Sequence, residues 1–418
     1  MEIDIKSCIT AISKAVTEDG ITIYFQPIVS LLSRTVIGFE AFSRGVDDSG
    51  ATLAGPDCLF NSSLPIQAQF KVEEVCLKKG FAAYGPLYEK YRDMLLFLNI
   101  NCSLYSHNEY KGRSPHQLAE PFKYSPRMIT FEMDAAQLKD VPPLDMIRLV
   151  QEKGYRISVD NVVPSVDCMD RFQIIKPDFV KLDRKFYKGI DKSQRIQKKV
   201  AATAKLFSLC GAMGIAKGVE TEAEALALMR SGYYMQQGYF YSDSADEEGR
   251  EDSFGNKVSR ISKSVHGEKK KEGELSRELF RNSHLLLKST MTRLQQEEDG
   301  EMNRILDELL KKNANIVSVY VMDSSGKQIS KRLAGKGADP FGLRILPSAV
   351  GSDHSDKDFF VALNSGFEKV AGLCAPDPLC SDGYNYIAGF YYQQGSRRGR
   401  ILVLEYVRLP KESEKKLD

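Results

Sequence analysis

Eight short β-branched or aromatic runs recur through the first 240 residues, each followed by a connection, and that alternation limits the fold more than any other feature of the chain. The runs are ITIYFQPIV, TVIGFEAF, MLLFLNINC, MITFEM, YRISVD, FVKLD, GIAKG and YYMQQGYF. Most are separated by amphipathic stretches, among them QFKVEEVCLKKGFAAYGPLYEKY, LDMIRLVQEKG, QRIQKKVAATAKLFSLCGAMG and TEAEALALMRSG. Strands that alternate with helices build parallel sheet, and eight strands over this length predict a closed α/β barrel of the (β/α)8, TIM-like kind. The first connection, SLLSR, is too short to hold a crossover helix, so the first two strands are expected to pair antiparallel.

The barrel pattern accounts for residues 1–242. The next stretch, 243–274, is polar, charged and punctuated by Gly and Ser, which reads as a linker. A helical pattern follows over 275–312, with a break expected at Gly300. From 313 to 418 the pattern is that of a second, smaller α+β domain. IVSVYVMD and KQISKRL flank an SSG turn as one predicted hairpin, and NYIAGFYYQQ and RILVLEYVRL form another.

A length of 418 residues suits two or three units, and 42% apolar with 27% charged residues is ordinary globular composition. The formal charge of +2 provides no broad basic field, so nucleic acid is not an expected partner and any anionic ligand must be held locally. The first 20 residues lack the pattern of a signal peptide, and no apolar run approaches the ~20 residues that span a bilayer. A cytoplasmic protein with no membrane span is expected. Eight cysteines without a Cys-x-x-Cys and five unpaired histidines argue against zinc and for reduced thiols, with Cys374 and Cys380 the one pair close enough to bridge a loop.

Polar residues recur at the ends of the predicted strands: Glu40, Asn99, Glu132, Asp160, Lys181 with Asp183, Lys217 and Gln237. A single polar residue there is ordinarily a cap or turn residue. A full set of them is different, because all such ends of a barrel face one rim, where active sites are built.

These segments resemble the motifs of the EAL domain family, the cyclic di-GMP phosphodiesterases of bacteria. FQPIVS and GFEAFSRG resemble YQPIV and GxEALLRW, which places Gln26, Glu40 and Arg44 at motif positions. LFLNI resembles the family's asparagine strand, with Asn99 as the ligand and Asn101 as an alternative. FEMDA is similar to ELTE through Glu132, VDN to DDFG through Asp160, and VKLDR to KIDR through Lys181, Asp183 and Arg184. KGVETEAEALALMRSGYYMQQGYFYS is similar to the EGVET-to-QGYxFS block, with Glu220, Thr221, Gln237, Gly238 and Tyr239 in register. An EAL barrel followed by a PAS-like or Cache-like sensor domain, without a diguanylate cyclase module, is an arrangement seen in the family, and the C-terminal hairpins resemble such a domain.

The resemblance implies Mg2+ or Mn2+ held by oxygens of Glu40, Asn99, Glu132, Asp160 and the residue at 161, which suits hard cations. It implies catalytic roles for Lys181 and Glu220, and contact with cyclic di-GMP for Gln26, Arg44, Asp183, Gln237, Gly238 and Tyr239. Arg44 offers a planar fork for a phosphate.

The departures fall where the chemistry is most demanding. The second aspartate of DDFG is Asn161, the first glutamate of EGVE is Lys217, and the glycine-rich loop after the aspartates is VVPSVDC. Reversing a charge beside two cations is costly, since unit charges ~4 Å apart interact by ~4 kcal/mol at an effective dielectric near ~20. The EAL domain therefore reads as degenerate, its metal binding weakened or absent. Three functions follow: a cyclic di-GMP receptor or regulator, a weak metal-dependent phosphodiesterase producing pGpG, and an interaction module that has lost nucleotide binding. A homodimer and a small ligand at the C-terminal domain are expected.

Overall fold

The computed structural model describes residues 12–13, 20–46, 52–107, 112–138, 143–241, 251–334, 349–373, 384–395 and 398–407. The chain divides into two compact units, with the division between Gly267 and Glu268.

The first unit is a closed barrel. Its strands are β1 (Ile21–Ser30), β2 (Thr35–Val46), β4 (Leu95–Ile100), β5 (Ile129–Asp134), β6 (Arg156–Val162), β7 (Phe179–Leu182), β8 (Met213–Lys217) and β9 (Met235–Gln237), with the short β3 (Thr52–Ala54) added beside β2. The order is β1-β9-β8-β7-β6-β5-β4-β2-β3, and pairing of β1 with β2 closes the ring. As the short SLLSR connection predicts, β1 is antiparallel to β2, and it is antiparallel to β9 as well. All other neighbours in the ring are parallel.

Alternation along each strand positions the site. Leu96 and Leu98 of β4, Phe131 and Met133 of β5, Ile157 and Val159 of β6, and Val180 and Leu182 of β7 point outward into the core shared with the helices. The intervening residues point into the barrel, where Ile28, Phe97, Phe179 and Ile215 form an apolar floor. Two residues beyond three of these floor positions stand Asn99, Lys181 and Lys217, because a period of two returns each strand to the same face. The helices that cover the barrel include Ile66–Lys90, Leu144–Glu152, Val166–Ile175, Gln194–Leu209 and Glu222–Arg230.

One expectation needs correction. The charged stretch 243–274, read as a linker, is helical from Glu251 and belongs to a helix reaching Gln296. Val258, Ile261 and Val265 recur at helical spacing and are buried in the barrel's own core. Arg34 Nε donates to Ser262 Oγ at 2.9 Å and Lys257 Nζ to the Phe240 carbonyl at 2.7 Å. Three aliphatic residues on one face are enough to dock a helix whose average composition is that of a solvated segment.

The second unit holds a five-stranded antiparallel sheet of β10 (Ile316–Asp323), β11 (Leu333–Ala334), β12 (Lys369–Leu373), β13 (Tyr384–Tyr392) and β14 (Gly399–Val407), in the order β11-β10-β14-β13-β12. The long helix ends at Gln296, and a 3-10 turn over Asp299–Glu301 contains Gly300 before the helix Met302–Lys312 begins. That break matches the expectation for Gly300. The predicted first hairpin is shorter than expected, since β11 occupies only the end of KQISKRL and beyond. SDKDFF leads into a helix, Asp358–Asn364, and β12 has no counterpart in the sequence reading.

Among the described residues no helix is long and apolar enough to cross a membrane. Cys76, Cys102, Cys168 and Cys210 are free thiols. Cys58 is disulfide-bonded, which corrects the expectation of reduced cysteines throughout. Cys374 and Cys380 lie outside the described residues.

Candidate functional site

At the C-terminal ends of the parallel strands, Glu40, Glu132 and Asp160 bring carboxylate oxygens within 4.8 Å of one another, and all three side chains are buried. Lys181, itself fully buried, places Nζ 2.5 Å from Glu40 Oε2 and 2.6 Å from Glu132 Oε2. Lys217, at the end of β8, forms an ion pair with Asp160 Oδ2. Its backbone is held by Tyr187, whose hydroxyl donates to the Lys217 carbonyl at 2.7 Å. Asn99 faces solvent, and its Nδ2 donates to Glu40 Oε1 at 2.9 Å.

Gln237 is buried rather than displayed at the rim. Its Nε2 donates to Gln26 Oε1 at 2.9 Å and to Glu40 Oε2 at 2.7 Å, so the last strand holds Glu40 from within the barrel and is itself tied to the first. Gln26 and Gln237, expected to contact a nucleotide, lie in a buried chain in which Gln237 bonds both Gln26 and Glu40.

Burial works to raise the Glu40 carboxyl, but the Lys181 and Lys217 ammoniums, with hydrogen bonds from Lys181 and Asn99, hold it down at about 2. Glu132 moves the opposite way. Burial lifts it well above the usual carboxylate range, Lys181 opposes this, and the Glu40 and Asp160 charges add to it. Burial disfavours the charge on Lys217, yet Glu40, Asp160 and Glu132 raise its affinity for the proton. Two lysine ammoniums therefore stand among three buried carboxyl groups, paired with each of them.

Two buried oxygens, Glu132 Oε1 and Asp160 Oδ1, have no hydrogen-bond partner. Buried carboxylate oxygens without partners are costly and are the kind of atom a divalent cation would satisfy. With Glu40 they form the part of the donor set that fits a metal ion.

Other expected residues lie apart from this cluster. Asn161 is exposed and donates from Nδ2 to Asp134 Oδ2 at 2.7 Å. Glu220 is half-exposed and pairs with Arg184 at 2.7 Å, which places it in a surface ion pair rather than among the buried carboxylates. Asp183 caps the turn of helix Arg184–Tyr187, accepting from the Lys185 amide at 2.6 Å. Gly238 is packed so closely that an added Cβ would lie 2.2 Å from Val219 backbone atoms. Tyr239 is 63% exposed beside it. Arg44 lies four residues beyond Glu40 on β2, half-buried, with Nη1 donating to the Ser43 carbonyl at 3.0 Å.

Two features were not legible beforehand. Asp134, within FEMDA, is not among the positions that the family resemblance singles out. VVPSVDC, read as an altered loop, starts a helix: Ser165 Oγ accepts from the Cys168 amide, and Cys168 Sγ accepts from the Ser165 amide. A Ser in the N-cap position, immediately before the helix, was the available signal.

Comparison with known proteins gives a consistent picture. The EAL domain family matches residues 9–244. The probable cyclic di-GMP phosphodiesterase PdeB of Escherichia coli K12 is 22% identical over 239 residues, 56% of this chain and 44% of that protein, so the chain spans less than half of that relative's length. The uncharacterized EAL-domain containing protein YkuI of Bacillus subtilis 168 is 23% identical over 328 residues, 75% of this chain and 77% of that one. The crystal structure of the B. subtilis YkuI protein, in complex with substrate c-di-GMP and calcium, aligns with a TM-score of 0.72 at 16% identity, covering 97% of this chain and 99% of that chain. The c-di-GMP complex of the PaMucR phosphodiesterase aligns with a TM-score of 0.51 at 17% identity, covering 56% and 96%. At such identities the structural likeness speaks for the fold.

Proposed function

The chain belongs to the EAL domain family, and on that premise we propose that its barrel binds cyclic di-GMP as a receptor and does not hydrolyse it. The observation that carries this reading is the Lys217 ammonium on Asp160, within a cluster whose other two carboxyl groups already share Lys181. A tethered ammonium can offset phosphate charge, but unlike a bound metal ion it cannot generate hydroxide from water.

The retained donors fit one divalent cation better than two. Glu40, Glu132 and Asp160, with Asn99 at the rim, would hold it, and it would supply polarisation of a phosphate oxygen. Lys217 and the outward Asn161 leave the second cation short of anionic ligands. Arg44 would grip a phosphate in a bidentate contact, and the exposed ring of Tyr239 would offer a stacking surface for a base.

Calorimetry with cyclic di-GMP in EDTA and then in Mn2+, with chromatography of the incubated nucleotide, tests the proposal. Binding in EDTA that weakens with salt, and intact nucleotide after prolonged incubation, is the expected result. Protein-dependent accumulation of pGpG would favour the second reading, a weak phosphodiesterase, whose support is the pair of unpartnered buried oxygens on Glu132 and Asp160. For the second unit we propose a PAS-like or Cache-like sensor role, supported by its five-stranded antiparallel sheet.

A further inference from the structure

β5 ends on Asp134, two residues past Glu132, and its backbone pairs with Asp160 of β6. Both carboxylate oxygens of Asp134 accept hydrogen bonds: Oδ1 from the Ala136 amide at 2.6 Å, and Oδ2 from Asn161 Nδ2 at 2.7 Å. The Ala135 amide donates to the Asp160 carbonyl at 3.0 Å, so the turn after β5 is fastened to β6 on both sides of this contact. Asn161 has a φ of +55°, a left-handed conformation that asparagine tolerates, at the place where the register between β6 and β7 shifts.

The chemistry of the contact is directional. An ionised carboxylate only accepts, so residue 161 must present a donor, which an amide does and a second carboxylate does not. We propose that Asp134 is a positioning residue that ties the Asn161 side chain to the solvent side of the rim and so bars an anionic ligand from the position next to Asp160. The negative charge of this part of the rim then stands on β5, outside the buried trio of Glu40, Glu132 and Asp160, rather than beside Asp160 on β6. This extends the receptor reading to the reason that Asn161→Asp alone would not supply the missing anionic ligand of a second cation, and it does not depend on nucleotide binding.

The test exchanges donor and acceptor. In EDTA, Asn161→Asp should lower the denaturant midpoint, because two acceptors meet at 2.7 Å. Asp134→Asn alone should leave it near wild type, since the new amide's oxygen keeps the Ala136 bond while its nitrogen can donate to the oxygen of a turned Asn161 amide. The combined variant should recover the loss, because the new amide donates to the new carboxylate. On a Lys217→Glu background, calorimetry with Mn2+ should show less than a threefold gain from Asn161→Asp, and at least a tenfold gain when Asp134→Asn is added. A midpoint unchanged by Asn161→Asp, no rescue by Asp134→Asn, or an equal Mn2+ gain with Asp134 in place would each overturn the proposal. If Asn161→Asp does not fold, recovery of a folded protein in the combined variant decides the matter, and its absence counts against Asp134. Neither readout involves nucleotide, so this proposal and the receptor reading fail separately.

Discussion

Lys217 reaches Asp160 at the level where three buried carboxylates converge, and with Lys181 it supplies two positive charges to that cluster. Replacing it by Glu frees Asp160 and adds an anionic oxygen, so Lys217→Glu should raise Mn2+ affinity at least tenfold by calorimetry, a gain of about 1.4 kcal/mol or more. Arg44 has no carboxylate partner in hydrogen-bond contact among the described residues, its guanidinium lying over the Phe42 ring. Arg44→Ala should therefore weaken cyclic di-GMP by about 1.5–3 kcal/mol, roughly tenfold to a hundredfold, while the melting temperature stays close to wild type. Glu73 gives a pH dependence of its own. It is buried on the helix Ile66–Lys90, and burial lifts its carboxyl to about 7 despite hydrogen bonds from Tyr105 and the Asn101 amide. The folded state then holds a proton that the unfolded chain releases near 4.5. Stability from this group is full below about 4.5 and is lost as pH rises through about 7. Glu73→Gln should flatten that decline, removing up to about 3 kcal/mol of pH-dependent loss in denaturation curves measured from pH 4 to 8.

The strand is the element in which the site is easiest to read, because a period of two separates outward Leu96 and Leu98 from inward Phe97 and Asn99 without reference to any other part of the chain. The helix Glu251–Gln296 is the opposite case. Its docking rests on Val258, Ile261 and Val265 amid charged neighbours, and average composition hides so few contacts. Ile261 is fully buried, so Ile261→Ala should cost the barrel about 2–4 kcal/mol in chemical denaturation, whereas a solvated linker would register no change. The same reasoning applies to VVPSVDC, where the loss of glycines suggested a different loop and the capping pair of Ser165 and Cys168 turned it into a helix start.

At the scale of the whole molecule, the second unit has its own core. Leu287, Met291, Ile305, Leu306, Val319 and Leu404 are buried together on one side of the sheet, and Tyr320, Phe359, Phe360 and Val403 on the other. A fragment from Glu268 to the C-terminus should fold alone and melt cooperatively by circular dichroism, and a broad, featureless melt would count against the division at Gly267. The barrel, its antiparallel first pair and the set of polar strand ends were determined by the sequence itself, since each depends on local period or on the length of one connection. Tertiary structure alone decided what those polar groups do. Gln237 and Glu40 meet across 197 residues, and Lys217 and Asp160 across 57. Local pattern can put such residues on the same rim, but it carries no information about which neighbours will be near enough to share a proton, a charge or a hydrogen bond. For that reason Gln237 could be read as a ligand contact yet lies buried against Glu40, and Asn161 as a metal ligand yet is held outward by Asp134.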